Sequence, residues 1–218
     1  VLNKMQLNER MLTGFTQRIV TRSAHLEGVI FKEEDWASNV EKQYPTFLFS
    51  PPDLPIEQQP KEVKEYILFG EDENINRGYK CRIRKRWYIV PSVWVPDGFM
   101  LRQVHGYPKI ILNEAQATCT DTIHRVRFKH NHNGKEIAAA FLNSLTFAFS
   151  EVVGRSYGGG VLTFEPSESE DLPLPLIGAE KLDIKQIDKL LRRNEIDAIL
   201  DMTDKVLLIE GLGLSHKE

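Results

Sequence analysis

The sequence predicts an α+β fold in which a mixed or antiparallel sheet of short strands is flanked by helices. Two observations carry this prediction. Short apolar runs separated by turn residues recur between residues 89 and 128. Apolar residues spaced three and four apart, which is typical of helices, lead into Gly154 and recur after Asp183. With 218 residues, 41% of them hydrophobic, the chain can bury the core of one or two domains.

The N-terminal part of the chain combines predicted helices with short predicted strands. Apolar residues at helical spacing predict a helix over residues 7–20, and short apolar runs predict strands at 28–31 and 46–49. A linker-like turn at residues 55–60 follows. Residues 61–75 then have the pattern of an amphipathic helix.

Four short strands are predicted in the middle of the chain. Turns that contain proline or glycine separate them. The strands span residues 89–91, 98–101, 109–112 and 122–128. Successive side chains of a strand point to opposite faces, so Arg125 and Arg127 share one face of the last strand with Ile123. Two arginines on one face can point to solvent or to phosphate.

Three consecutive glycines, Gly158 to Gly160, lie between a predicted helix that stops at Gly154 and a predicted strand at 161–164. A phosphate-binding loop has the opposite order, since it follows a strand and opens a helix. The glycines therefore indicate a sharp bend or the close approach of another backbone. Pro166 is expected to end the strand, because proline cannot donate to a sheet.

Charge is distributed unevenly along the sequence. The net charge is −3, but residues 77–135 contain twelve Lys and Arg against three acidic residues, a local charge of +9. The rest of the chain therefore carries −12. Such segregation favours a face that binds a polyanion. A solvated basic surface is the alternative.

The densest basic stretch is residues 77–86, with six Lys and Arg and no acidic residue. If this stretch is extended, Arg82, Arg84 and Arg86 share one side. Lysine and arginine bind phosphates without regard to sequence, and arginine can also bind guanine through two hydrogen bonds. Trp87 and Tyr88 follow; Trp87 suits a core position better than base stacking.

A polar loop is predicted at residues 113–120. Its Asn113, Gln116, Thr118 and Thr120 side chains suit base edges and phosphates, and are equally ordinary in a loop. The sequence thus places polar side chains close to the basic region along the chain.

About half of the chain, from the region near Arg77 to Pro175, resembles the C-terminal region of bacterial adenine-specific DNA methyltransferases. The similar segments are residues 143–145, 154–160, 165–168 and 172–175. The likeness extends upstream through residues 86–88, Asn113, Thr118 and Arg127. It implies a target-recognition domain that selects a site on double-stranded DNA. It also implies a longer parent protein, a restriction-modification enzyme, in which a separate methyltransferase catalytic domain uses S-adenosylmethionine.

The basic charge and the resemblance together select a set of candidate DNA-contacting residues. We expect contacts from Arg77, Lys80, Arg82, Arg84, Arg86, Asn113, Thr118, Thr120, Arg125, Arg127, Tyr157 and Gly159. The main alternative is a protein-interaction module that docks an acidic partner through residues 77–86. A complete but atypical methyltransferase is the second alternative.

Catalytic residues are not expected in this chain. The family's catalytic motif is Asn, Asp or Ser followed by two prolines and an aromatic residue that stacks on the flipped base. Residues 50–53 depart from it, because Asp53 stands where the aromatic ring should be. We also find no glycine-rich strand-to-helix turn suited to S-adenosylmethionine. No cofactor is therefore expected in this chain.

No metal site and no membrane association are expected. The two cysteines, Cys81 and Cys119, are far apart, and the histidines lack metal-ligand spacing. No apolar run approaches the ~20 residues that span a bilayer, and the N-terminus lacks a signal-peptide pattern. A cytoplasmic location is the default expectation.

Three segments are predicted. Residues 1–60 connect to the recognition region, 61–176 form the target-recognition core, and 177–218 form a helical tail with an N-cap at Asp183. The absence of an initial methionine and a candidate N-cap at Ser215 lead us to expect a fragment of a longer protein.

The first testable prediction is that this chain alone transfers no methyl group. Incubation with labelled S-adenosylmethionine and varied duplex DNA should leave the DNA unlabelled, because residues 50–53 lack the aromatic ring of the catalytic motif. Reproducible incorporation of label would show that the chain is itself an enzyme.

Overall fold

Three small sheets and the helices around them form the part of the chain that the computed structural model describes, residues 1–129 and 131–215. The arrangement is α+β, with mixed and antiparallel pairing of short strands, as the sequence predicts. Residues 216–218, which follow the predicted N-cap at Ser215, lie outside the described residues.

The helices are short, and most of them lie before or after the central strands. Their bounds are α1 Lys4–Glu9, α2 Glu33–Glu41, α3 Lys61–Asp72, α4 Tyr79–Arg82, α5 Gly134–Ala140, α6 Ser144–Val153, α7 Pro166–Glu170, α8 Ile184–Arg192 and α9 Ile196–Asp204. A π-helical turn, Lys205–Gly211, continues α9.

The strands contain two to five residues each. Their bounds are β1 Thr16–Val20, β2 Ile30–Phe31, β3 Phe47–Phe49, β4 Gly98–Leu101, β5 Gln103–Val104, β6 Ile110–Asn113, β7 Thr118–Cys119, β8 Ile123–Val126, β9 Arg155–Tyr157 and β10 Val161–Thr163.

The four-stranded sheet has the strand order β2-β6-β4-β8. Strands β2 and β6 are parallel, and the other two pairs are antiparallel. The register places Phe99 of β4 opposite Ile111 of β6 on one side and Arg125 of β8 on the other. The smaller sheets have the orders β3-β1-β7 and β5-β10-β9. Strand β8 therefore lies at the edge of the largest sheet.

The main hydrophobic core lies between the four-stranded sheet and the helices α5, α8 and α9. Phe99 and Ile111 of the sheet are fully buried, and so are Ile187 of α8 and Ile199 of α9. A second cluster of buried side chains joins α1 and α3 to Tyr88. The helices after residue 177 therefore pack on the sheet. The predicted division into three segments stays a prediction.

Several predicted elements are confirmed. The strands at residues 98–101 and 109–112 match β4 and β6, with β6 shifted by one residue. The helix predicted at 61–75 is α3, which ends at Asp72. Asp183 caps α8, since its side chain accepts a hydrogen bond from the backbone N–H of Lys185 at 2.9 Å. Local signals were sufficient for these elements.

The helix predicted over residues 7–20 is wrong beyond Glu9. Helix α1 ends at Glu9, and residues Thr16–Val20 form strand β1. Strand β1 pairs with β3 and β7, so hydrogen bonds from distant parts of the chain override the local helical spacing. The strand predicted at 89–91 is also wrong: the N–H of Ile89 closes a turn to the carbonyl of Arg86.

The helix that leads to Gly154 is two helices. Asn143 separates α5 from α6 and caps α6, because its side chain accepts a hydrogen bond from the N–H of Thr146 at 2.9 Å. The second helix ends before Gly154, as predicted, but Gly154 is extended, with φ −71°, and does not have the left-handed conformation that glycine commonly adopts at a helix end. Pro166 follows the end of β10, at the first position of α7, where proline is favoured.

Within the described residues, no single helix is long and apolar enough to cross a membrane; helices α5 and α6, which meet at 78°, satisfy length and composition only when they are taken together.

A network of ion pairs and hydrogen bonds around the buried Asp188 carboxylate connects α8 to strand β2. The Asp188 side chain is 3% exposed, and one of its oxygens accepts hydrogen bonds from the backbone N–H groups of Val29 and Ile30 at 3.0 and 3.1 Å. Its other oxygen accepts from Lys32 Nζ at 2.8 Å and from Arg192 Nε at 3.0 Å. Burial acts to raise the pKa of Asp188, but these hydrogen bonds outweigh it and the pKa is lowered.

Arg192 extends this network to helix α2. Its guanidinium donates to both Asp35 carboxylate oxygens, at 2.7 and 2.8 Å, and to the carbonyl of Ile30 at 2.8 Å. The bidentate geometry is the strongest form of this interaction. The hydrogen bond with Asp35 raises the pKa of Arg192 further. Residues 156 to 162 positions apart in the sequence are thus held together by one charged cluster.

The second testable prediction concerns this cluster. Asp188→Asn should lower the free energy of unfolding by about 3–5 kcal/mol, because it leaves Arg192 and Lys32 without their shared buried anion. Urea denaturation measures the loss. The control is Asp201→Asn on α9, where the aspartate is exposed and the change should be small.

The contribution of Asp188 to the free energy of unfolding depends on pH with a definite sign. A carboxylate whose pKa is lowered in the folded state stabilises the fold above its ordinary pKa, and this contribution is lost as the pH falls. The difference in stability between wild type and Asp188→Asn should therefore shrink below about pH 4. A difference that is constant down to pH 2 would contradict the network's role.

Candidate nucleic-acid interface

The basic stretch, residues 77–86, is folded into short helical turns. A 3-10 turn, Ile75–Arg77, is followed by α4, and the N–H groups of Cys81 and Arg82 bond to the carbonyl of Gly78. The expectation that the stretch is extended, with Arg82, Arg84 and Arg86 on one side, is therefore wrong. Its backbone groups are satisfied locally and have no strand partner within the described residues.

Some basic side chains of this stretch have an ion-pair or hydrogen-bond partner, and others are exposed without an ion pair among the described residues. Lys80 pairs with Asp121 at 3.2 Å, and Arg86 pairs with Asp53 at 2.6 Å. Arg84 donates to the carbonyl of Trp87 at 3.2 Å. The exposed side chains without an ion pair among the described residues are Arg77, Arg82 and Lys85. These three are the cations of the stretch that an anion can reach directly.

The Lys80–Asp121 pair joins the basic stretch to strand β8. Asp121 lies just before β8, which is shorter than the predicted strand at 122–128 and ends at Val126. Arg125 of β8 and Arg127, which follows the strand, are exposed, while His124 and Val126 are half-buried. The basic stretch and these two arginines consequently lie on adjoining parts of the surface.

Trp94 contacts both Arg125 and Arg127. The guanidinium carbon of Arg125 lies 4.9 Å from the centroid of the indole ring, and that of Arg127 lies 4.5 Å from it. Arg125 also donates to the carbonyl of Ser92 at 2.7 Å. Both distances are within the range of a cation–π interaction. We call Trp94, Arg125 and Arg127 the tryptophan–arginine cluster.

Two residues of the predicted polar loop donate hydrogen bonds to the backbone of the irregular segment around Trp94, which we call the Trp94 segment. Thr118 is buried and donates to the carbonyl of Trp94 at 3.0 Å. Asn113 is buried too, and its amide donates to the carbonyls of Pro96 and Ala117, each at 2.8 Å. The prediction that Asn113 and Thr118 contact DNA directly needs correction, because their polar groups are engaged with buried backbone groups.

Thr120 has a similar structural contact at a less buried position. Its hydroxyl donates to the carbonyl of Thr21 at 3.1 Å and lies 2.8 Å from the hydroxyl of Thr122. It therefore links strand β7 to the segment after β1. Asn113, Thr118 and Thr120 therefore stabilise the backbone beneath the surface, while Gln116 of the same loop is exposed.

A cleft of about 660 Å³ lies beside the tryptophan–arginine cluster. One wall carries the cluster, and the other carries Arg102 and the acidic residues Glu165 and Glu170. Arg102 donates to Glu165 at 2.7 Å, and this hydrogen bond raises the pKa of Arg102. His124 bridges the walls through a 2.8 Å hydrogen bond to the carbonyl of Phe164. The cleft carries charges of both signs on a lining that also contains apolar side chains such as Met100 and Ile123.

The glycine run forms the tip of a β-hairpin. Strands β9 and β10 pair with Tyr157 opposite Val161, so Gly158 to Gly160 make the turn. Gly159 and Gly160 have φ values of +82° and +73°. The predicted sharp bend is confirmed. No backbone approaches closely, since an added Cβ at any of the three would meet no atom within 4 Å among the described residues.

Tyr157 is exposed at the base of this turn, at 56% of its surface. It lies near enough to Arg102 to contribute to the raised pKa of that residue. Arg155 on the same strand is tied to Glu168 of α7 at 2.6 Å. The hairpin is thereby fixed next to the wall of the cleft that carries Arg102.

Trp87 and Tyr88 are structural, as expected for Trp87. The indole N–H of Trp87 donates to Glu71 at 3.0 Å, and the hydroxyl of Tyr88 donates to the carbonyl of Leu54 at 2.7 Å. Both side chains belong to the second hydrophobic cluster. They anchor the end of the basic stretch to α3 and to the segment after β3.

Residues 50–53 have structural contacts as well. Ser50 accepts a hydrogen bond from the Gln17 amide at 2.8 Å, and Asp53 accepts from Arg86.

Burial raises the pKa of the Cys119 thiol to about 12. Among the described residues no group of three or more His, Cys, Asp and Glu side chains is placed to hold a metal ion.

Sequence reasoning missed Trp94, Ser92 and Arg102. The sequence feature that could have identified Trp94 as a surface residue is its position between Pro91 and Pro96, in a segment with no helical or strand pattern. An aromatic side chain in such a segment is more often exposed than one inside an apolar run. Its pairing with two arginines more than 30 residues later could not be read from spacing.

Comparison with known families assigns this α+β fold to a class of domains that belong to methyltransferases. The family described as "Type II methyltransferase M.Eco57I, C-terminal domain" matches residues 1–208. The chain therefore belongs to this family of C-terminal domains from restriction-modification methyltransferases. The match includes the first 60 residues, beyond the range of the sequence resemblance. No curated protein matches the chain.

The third testable prediction concerns the hairpin turn. Gly159→Val should lower the free energy of unfolding by about 1–3 kcal/mol, because a β-branched residue is strained at positive φ. Gly158→Ala is the matched control. An added Cβ at Gly158 also meets open space, and its φ is not in the left-handed range. Thermal and urea denaturation of both variants test this; equal stability would show that the left-handed turn is not required.

Proposed function

We propose that this chain is the target-recognition domain of an S-adenosylmethionine-dependent adenine-N6 DNA methyltransferase of the restriction-modification type. It binds double-stranded DNA in the cytoplasm and presents the target to a catalytic domain in the same polypeptide. The family supports the association with a methyltransferase. The choice of adenine rests on the sequence resemblance alone.

The observation that carries the proposal is the adjoining position of two basic groups. Arg77, Arg82 and Lys85 are exposed on the basic stretch, and Arg125 and Arg127 are exposed in and just after β8. The 3.2 Å contact between Lys80 and Asp121 shows that the two groups are close. Cations that neutralise phosphates release condensed counterions, which gives affinity for any duplex. A surface of this kind suits a DNA backbone.

The charge of the rest of the chain also bears on DNA docking. Residues outside 77–135 carry −12, although three of their carboxylates, Asp53, Glu165 and Glu170, lie beside the basic groups. Electrostatic attraction on one side and repulsion elsewhere orients a protein on a polyanion before close contact. We expect the excess of negative charge outside 77–135 to favour docking through the basic groups.

The fourth testable prediction is a steep salt dependence. Log affinity of the 218-residue chain for duplex DNA should fall linearly with log salt concentration. Alanine at Arg77, Arg82 or Lys85 should weaken binding to all DNA sequences equally and flatten the slope by about 0.9 per cation removed. Fluorescence anisotropy at several salt concentrations measures both quantities.

A matched control removes an exposed cation elsewhere. Lys189 lies on α8, next to β2 and at the opposite edge of the sheet from β8. Lys189→Ala should leave the slope unchanged. Binding to acidic peptides in place of DNA would favour the protein-docking alternative, and the absence of DNA binding at low salt would reject the proposed function.

A further inference from the structure

We propose that Arg125 and Arg127 read guanine base edges in the major groove, and that Trp94 is the positioning residue that holds their guanidinium groups for this task. The inference rests on the proposed function, because it assigns base reading within the same DNA-binding surface. It moves sequence reading from the polar loop at 113–120 to the tryptophan–arginine cluster.

The geometry of the cluster restricts both arginines. A free arginine side chain samples many rotamers and loses this freedom on binding. Stacking on the Trp94 ring, at 4.9 and 4.5 Å, limits each guanidinium before any ligand arrives. Arg125 is restricted further by its hydrogen bond to the carbonyl of Ser92. A guanidinium fork fixed in advance is what two simultaneous hydrogen bonds to guanine O6 and N7 require.

The backbone that carries the Trp94 ring is itself held by hydrogen bonds from buried side chains. Thr118 donates to the Trp94 carbonyl, and Asn113 donates to the Pro96 carbonyl two residues later. Both donors are buried at the end of β6 and in β7. Ser92, which accepts from Arg125, has a left-handed φ of +56°, uncommon for a residue other than glycine. Such a conformation persists only where its surroundings enforce it.

The carboxylates beside the cluster lower its attraction for phosphates. The cleft is lined by Arg102, Arg125 and Arg127 and by the carboxylates of Asp121, Glu165 and Glu170; Asp121 is paired with Lys80, and Glu165 with Arg102. These carboxylates make the cleft less attractive to a phosphate than residues 77–86, which contain no acidic residue. Base edges, which are neutral and carry donors and acceptors of hydrogen bonds, suit such a surface.

The basic stretch has the opposite character. Arg77, Arg82 and Lys85 are exposed, and residues 77–86 contain no carboxylate. This stretch is suited to phosphates. The two parts of the surface thus divide the work: 77–86 positions the duplex, and the cluster reads it.

Selection from a pool of random DNA duplexes tests the inference directly. The wild-type 218-residue chain should enrich a motif with a guanine preference at two positions. Arg125→Lys and Arg127→Lys retain the charge but remove the planar fork. Each should reduce the preference at one of these positions by at least about fivefold, within the 5- to 150-fold range of a bidentate base contact. Lys85→Ala should weaken all sequences equally and leave the motif unchanged.

Trp94 is tested by a pair of variants. Trp94→Leu should reduce both guanine preferences together, while Trp94→Phe, which retains an aromatic face, should restore most of them. Melting curves check that both variants are folded. A role in folding alone would lower the melting temperature in proportion to the loss of binding and would leave the motif unchanged in the folded fraction.

The outcomes separate this inference from the proposed function. An unchanged motif in both Arg→Lys variants overturns base reading by the cluster, and so does salt-dependent binding of the wild type without any enriched motif. Either result leaves the proposed DNA binding intact. Failure of the wild type to bind DNA at low salt overturns both.

Discussion

The carboxylate of Asp188 is the interaction on which the architecture depends most. It caps the N–H groups that begin strand β2 and anchors two cations, so it joins the C-terminal helix α8 to the N-terminal third of the chain. The space is closely fitted: a Cβ at Gly28 would lie 2.0 Å from an Asp188 oxygen. Gly28 is therefore required there because of close packing, with no demand on its φ.

The consequences of this contact extend across the sheet. Strand β2 pairs with β6, and β6 pairs with β4, which carries β8 at the edge. Lys109, just before β6, is buried and donates to the carbonyls of Leu26 and Glu27 at 2.9 and 2.7 Å; burial lowers its pKa to about 8. A buried lysine and a buried carboxylate thus fix β2 and β6 from two sides. The position of Arg125 and Arg127 depends on this series of contacts, although neither residue touches it.

The sequence predicted the elements whose signals are local. Asp183 as an N-cap, α3, and strands β4 and β6 all follow from patterns of a few residues. Strand β1 did not, because its partners Phe47–Phe49 and Thr118–Cys119 lie far away in the sequence. The basic stretch was placed on the surface correctly, but its helical turns have too few residues to show a period. Trp94 was missed for the same reason as β1: its contacts with β8 are between distant residues.

Asn113 and Thr118 show why residue type alone does not assign a role at such a surface. Amide and hydroxyl side chains suit base edges, but they suit orphan backbone carbonyls equally well, and burial decides between the two. The Trp94 segment has no regular structure to satisfy its own carbonyls, so buried donors must do so. A rigid irregular segment near a sheet edge therefore requires polar side chains beneath it. Those side chains gain their importance from what they hold in place, and the exposed arginines above them are the groups left free to meet a ligand.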